Sequence, residues 1–150
     1  MGIEERFTEQ DWIKLVESPF IIGLAASDAD MDPSSSYSEF DALMHACGEA
    51  QEKYEDNELI QAVLSQVSGI TNVDDSGGGP RGDVMEYAGD ISRILDDLYP
   101  GQKGLEFKRF LYGIGKKVSE AYGEGFLGLG SKISKGEAEF LAKLKVALDL

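Results

Sequence analysis

Residues 83–101 read DVMEYAGDISRILDDLYPG, and this stretch decides the fold class. Val84, Tyr87, Ala88, Ile91, Ile94, Leu95 and Leu98 recur at the spacing that gathers side chains on one face of an α-helix. Asp83 stands where an N-cap accepts from the first unpaired amides, and Pro100-Gly101 ends the run. A half-buried strand would alternate with period two, which this segment does not.

The same period recurs on both sides. Upstream, Asn57 caps a run with Ile60, Val63, Leu64 and Val67 on one face. Before it, a helix from about 37 to 54 carries Phe40, Leu43, Met44, Cys47 and Tyr54. Downstream, Phe107, Phe110, Leu111, Ile114 and Val118 define a helix over about 103–122. Ser134 with Glu137 forms a capping box for a last helix through Phe140, Leu141, Leu144 and Leu148 to the C-terminus. Glycine-rich links fill 71–82 and 123–130. Near the start, Thr8 caps a short helix to Glu17 with Trp12, Leu15 and Val16 as its stripe. Ser18-Pro19 reads as a fresh start, because proline pushes the residue before it out of the helical region. The following helix, to about Asp28, is apolar nearly all round (Phe20, Ile21, Ile22, Leu24, Ala25, Ala26), the pattern of a central, buried helix. The expectation is all-α: a single compact bundle of about seven helices over residues 1–150. A domain boundary at the 71–82 link would leave two thin cores, so one domain is expected.

Composition narrows the function. The 150 residues carry 28 acidic and 14 basic side chains, a net charge of −14. Such a charge argues against DNA, RNA or anionic membrane as partners. Residues 1–100 hold 22 acids against 5 bases, whereas 101–150 hold 6 against 9. The last third is therefore expected to pack against the acidic part, with a small basic patch at Lys108, Arg109, Lys116 and Lys117 as the alternative. Residues 1–6 show no targeting segment, and the longest apolar stretch, 20–26, is too short to span a bilayer. A cytoplasmic protein is expected.

Cys47 is alone, which excludes an internal disulfide and a cysteine zinc cluster. It lies on an apolar stripe and reads as a small buried hydrophobe. His45 is the sole histidine, so a di-iron bundle with paired Glu-x-x-His motifs is excluded. Its helical neighbours Asp41 and Glu49 place it on a solvated face. No serine elbow, phosphate loop or nucleophile–base pair is present, and a non-catalytic protein is expected.

The segment with the most chemistry is 28–39. Asp28, Asp30, Asp32 and Glu39 fall at positions 1, 3, 5 and 12 of a twelve-residue loop. The Ser34 carbonyl falls at 7 and the Ser36 hydroxyl at 9. These are the ligand positions of a helix–loop–helix calcium site, and Ca2+ or another divalent cation is the expected cofactor. Pro33 replaces the glycine that such a loop needs at position 6, and Ser35 replaces an apolar residue at position 8. A standard EF-hand backbone is thus not expected. Without metal, the same residues make a turn at Asp32-Pro33 and a capping box of Ser36 with Glu39. A second acidic run, Asp75, Asp83 and Glu86, has glycines at two ligand positions and reads as chance, with Asp83 as a cap.

An apolar helix opening with Pro19-Phe20, an acidic loop and a helix entered through Glu39 resemble the TerB-like proteins of the tellurite-resistance type. The run Gly125-Phe126-Leu127-Gly128-Leu129-Gly130-Ser131-Lys132-Ile133-Ser134, leading into a capped last helix, adds to the resemblance. It implies an all-helical bundle of about seven helices, a cytoplasmic stress-associated or scaffold role, and metal-binding acids at Asp28, Asp30, Asp32 and Glu39. The Asp-Gly step usual in that loop is absent, since Met31 and Pro33 stand there. Two functions follow as expectations: a non-catalytic module that binds a divalent cation in its loop, or a metal-free acidic module that docks a basic protein partner.

Overall fold

The structure, a computed structural model, describes residues 2–28, 36–67, 83–123 and 135–150. Among them lie a short 3-10 helix, Ile3–Arg6, and α-helices α1 (Glu9–Asp28), α2 (Ser36–Lys53), α3 (Glu58–Val67), α4 (Val84–Leu98), α5 (Gln102–Gly123) and α6 (Lys135–Ala147). The described residues contain no strand, so the fold is all-α.

The break expected at Ser18-Pro19 does not occur. α1 runs through Pro19 without interruption, merging two expected helices into one. A proline inside a helix removes one amide donor and crowds the turn before it, at a cost of about 3 kcal/mol. The carbonyl deprived of its donor is that of Leu15. The Ser18 hydroxyl donates to it at 2.7 Å, and both residues are fully buried. The Tyr87 hydroxyl, from α4, donates to the neighbouring Lys14 carbonyl at 2.5 Å. Two side chains thus satisfy the turn that the ring disturbs. Serine here does not cap a new helix; it repairs an old one.

The continuous α1 is the central element. It packs against every other α-helix, but not all round: Leu24, counted in its apolar pattern, is 51 % exposed. Leu15, Ile22 and Ala26 are fully buried, and Phe20 and Ile21 nearly so. α5 lies against it and supplies Phe107, Phe110, Leu111, Ile114 and Val118 to the core. Each such side chain contributes roughly 1.5–3 kcal/mol through removal from water. Gly115 lets α5 approach closely, since a Cβ there would stand 3.2 Å from Leu144 of α6 and 3.5 Å from Ile22 of α1.

Polar contacts set the corners. Asn57 is almost fully buried and caps α3, accepting from the Ile60 amide at 3.1 Å. Its amide nitrogen donates to the Lys103 carbonyl at 3.0 Å and the Glu106 carboxylate at 2.9 Å, tying the start of α3 to the start of α5. Asp83 caps α4 as expected, accepting from Met85 at 2.9 Å. Between α4 and α5, Gly101 takes a φ of 99°, and a Cβ on Gly104 would clash with the Tyr99 carbonyl. Both glycines are required by that turn. α6 stops at Ala147, short of the C-terminus. Leu150 donates to Lys145 and Asp149 to Val146, each at 3.0 Å, the paired bonds of a Schellman ending. Asp149 occupies its left-handed position, with φ 60°. Among the described residues, no helix is long and apolar enough to cross a membrane.

Candidate functional site

The expected cation loop joins α1 to α2. Asp28 is the last residue of α1, Ser36 the first of α2, and Glu39 lies in the first turn of α2. Asp30, Asp32 and Ser34 lie outside the described residues, as does Asp75 of the second acidic run. The flanking helices approach closely: a Cβ on Gly23 would stand 2.9 Å from Leu43 Cδ1. Among the described residues, no group of three or more His, Cys, Asp or Glu side chains is placed to hold a metal ion.

His45 and Cys47 behave as their helical positions require. The His45 side chain is 77 % exposed, with Nδ1 3.0 Å from a Glu49 carboxylate oxygen. Cys47 is buried, and burial pushes its thiol up to about 11. A thiol that holds its proton so tightly is a poor nucleophile. Met44, expected on the buried stripe, is instead 39 % exposed; Leu43, Ala46, Cys47 and Ala50 form the packed face of α2.

Two surface features stand out among the described residues. The first is an acidic end of the bundle. The 3-10 helix packs against α3, and Phe7 lies against Tyr99, their rings 6.4 Å apart. The Arg6 guanidinium sits 5.4 Å from the centre of the Tyr99 ring. Burial raises the Tyr99 phenol, and so do the Glu58 and Glu106 carboxylates, so these acids face the same corner. Glu4 and Glu5 of the 3-10 helix and Glu55, Asp56 and Glu58 at the start of α3 are exposed, as is Lys103, whose ammonium donates to the Asp56 carbonyl at 2.9 Å.

The second feature is an open groove of about 100 Å³ between α2 and α5. The two helices are antiparallel here: the Tyr54 ring meets Phe110 edge-on at 6.3 Å, while Glu49 meets Lys117 at 3.4 Å. Ala46, Ala50, Phe110, Gly113 and Ile114 line the groove with small and apolar surface. Lys53, Arg109 and Lys117 are its cations, and Glu49 is its acid. A Cβ on Gly113 would touch nothing within 4 Å, so glycine keeps this stretch of the groove open.

This redraws the basic patch read from the sequence. Lys108 does not belong to it: its side chain is 6 % exposed, and Nζ donates to Asp96 at 2.8 Å, joining α5 to α4. Lys116 pairs with Glu120 at 4.0 Å and does not line the groove. Lys53, from the last turn of α2, takes their place. The i, i+4, i+8 spacing of Arg109, Gly113 and Lys117 was a visible signal, but Lys53 could join them only through helix pairing.

Comparisons with protein-family models, with curated proteins and with solved structures find nothing that matches this chain.

Proposed function

We propose that the chain is a non-catalytic helical interaction module, and that its acidic end docks a basic protein partner. The observation behind this reading is the corner where the 3-10 helix, α3 and Tyr99 meet, with Glu4 and Glu5 of the 3-10 helix and Glu55, Asp56 and Glu58 at the start of α3 exposed. These exposed acids outnumber the exposed cations Arg6 and Lys103, in a protein that carries a net charge of −14. Such an excess attracts a lysine- or arginine-rich surface and speeds its encounter. The non-catalytic part of the reading draws support from the protonated, buried Cys47 and from His45, whose carboxylate partner Glu49 is itself solvent-facing. A TerB-like scaffold role belongs to the same proposal, and the all-α architecture is compatible with it.

The test is anisotropy of a labelled lysine-rich peptide titrated with the full chain. Binding should weaken steeply as salt rises, because the contacts are exposed charges. Replacing Glu4, Glu5, Glu55 and Glu58 by glutamine should weaken it at low salt. Absence of binding, or binding indifferent to salt and to these changes, removes the reading.

A second reading keeps the divalent cation at 28–39. It is supported by the spacing of Asp28, Asp30, Asp32 and Glu39 across the junction of α1 and α2. Cation binding would then set the relation between α1 and α2. Calorimetry with calcium, magnesium and manganese decides it: heat and a raised thermal midpoint are expected, and both should vanish with Asp30→Asn and Asp32→Asn. No heat and no shift with any of the three ions ends this reading.

A further inference from the structure

We propose that the α2–α5 groove is a second docking site, and that its occupant is an acidic peptide segment of a partner protein. One apolar side chain of that segment sits on the groove floor, and a neighbouring carboxylate meets Lys53 and Arg109. The proposal does not use the acidic end and stands or falls separately from it.

The charge pattern along the groove is uneven. At one end, Lys117 is already engaged by Glu49, which also holds His45. At the other end, Lys53 and Arg109 have no ion pair among the described residues; Lys53 lies 5.4 Å from the centre of the Tyr54 ring. Glu52 and Glu55 are close in sequence but do not line the groove. Two cations without an ion pair, one of them over the Tyr54 ring, form a receptor for a carboxylate, and arginine can grip one with two parallel hydrogen bonds.

The shape selects a peptide over a small molecule. A small ligand needs a pocket that encloses most of its surface. This groove is half open to solvent, and about 100 Å³ suits a single apolar side chain. Arg109 and Lys117 are eight residues apart on α5, so roughly 12 Å of helix separates them. A short stretch of chain can span that distance with one face covered. The floor is built for contact, since Gly113 leaves a gap that a side chain from outside can fill.

The experiment selects a displayed library of short random peptides against the full chain, then measures a labelled winner by anisotropy. Enriched sequences should pair Asp or Glu with one Leu, Ile, Phe or Trp. Binding should fall at least roughly tenfold with Lys53→Ala plus Arg109→Ala, as expected for loss of a central anchor. It should fall as far with Gly113→Leu, which fills the floor from within. The Gly113 variant has open space at its Cβ and better helix propensity than glycine, so an unchanged or higher thermal midpoint shows that the fold is intact. Lys116→Ala, outside the groove, should leave binding unchanged. The proposal is overturned by enrichment of basic sequences alone, by no enrichment, or by equal binding to both groove variants. It is also overturned if N-acetyl-leucine binds as tightly as the peptide. Self-association of the chain that both variants abolish would assign the groove to a second copy instead.

Discussion

Ser18 shows how one hydroxyl decides whether a helix breaks. Its donation to the Leu15 carbonyl occupies the acceptor that Pro19 leaves unpaired, in a place with no access to water. Ser18→Ala should lower stability by about 1–3 kcal/mol, the penalty of an unsatisfied buried polar group. The urea midpoint should fall with little change in slope. With Pro19→Ala in the background, residue 19 regains an amide for that carbonyl, and the loss from Ser18→Ala should shrink. Equal losses in both backgrounds would contradict the repair role. Serine before proline is a helix-start signal by propensity, and only the partner at Leu15 reveals the other use.

At the scale of elements, the helices are legible because their apolar faces repeat. α3, α4 and α5 fall within a residue or two of the expected bounds, and Asn57 and Asp83 cap as their side chains suggest. The caps were legible because each bond spans two or three residues of sequence. The second role of Asn57 was not, since Lys103 and Glu106 are more than forty residues away. The end of α6 carries a small strain: Asp149 holds the left-handed position that glycine adopts freely. Asp149→Gly should therefore raise stability by about 0.5–1 kcal/mol, and Asp149→Ala should lower it. Thermal denaturation of the three chains checks the order; alanine at or above glycine would refute the strain.

For the whole molecule, the dominant quantity is the excess of carboxylates, which opposes compaction near neutral pH. Glu17 adds a specific term. Burial on α1 raises its carboxyl above the ordinary 4.5, so the folded chain favours its protonated form. Its contribution is full below the unfolded value and is lost as pH rises through the folded one. Glu17→Gln should thus raise the thermal midpoint near neutral pH, with the gain shrinking as pH falls through the raised folded value and gone below 4.5. A gain that grows on acidification would reverse this assignment. The Tyr87 phenol, raised by burial and by the Glu17 charge, stays protonated and keeps its bond to Lys14.

By itself, the sequence determined the all-α class, the central position of the helix around Phe20 and Ile22, and the local caps. These follow from periodicity and short-range hydrogen bonds, which depend on residues a few positions apart. The tertiary structure alone decided that α1 is continuous, that Lys108 is an internal strut to Asp96, and that Lys53 joins Arg109 across an open groove. Each of these depends on which helix lies beside which, and side chains distant along the chain meet only after the apolar faces have packed.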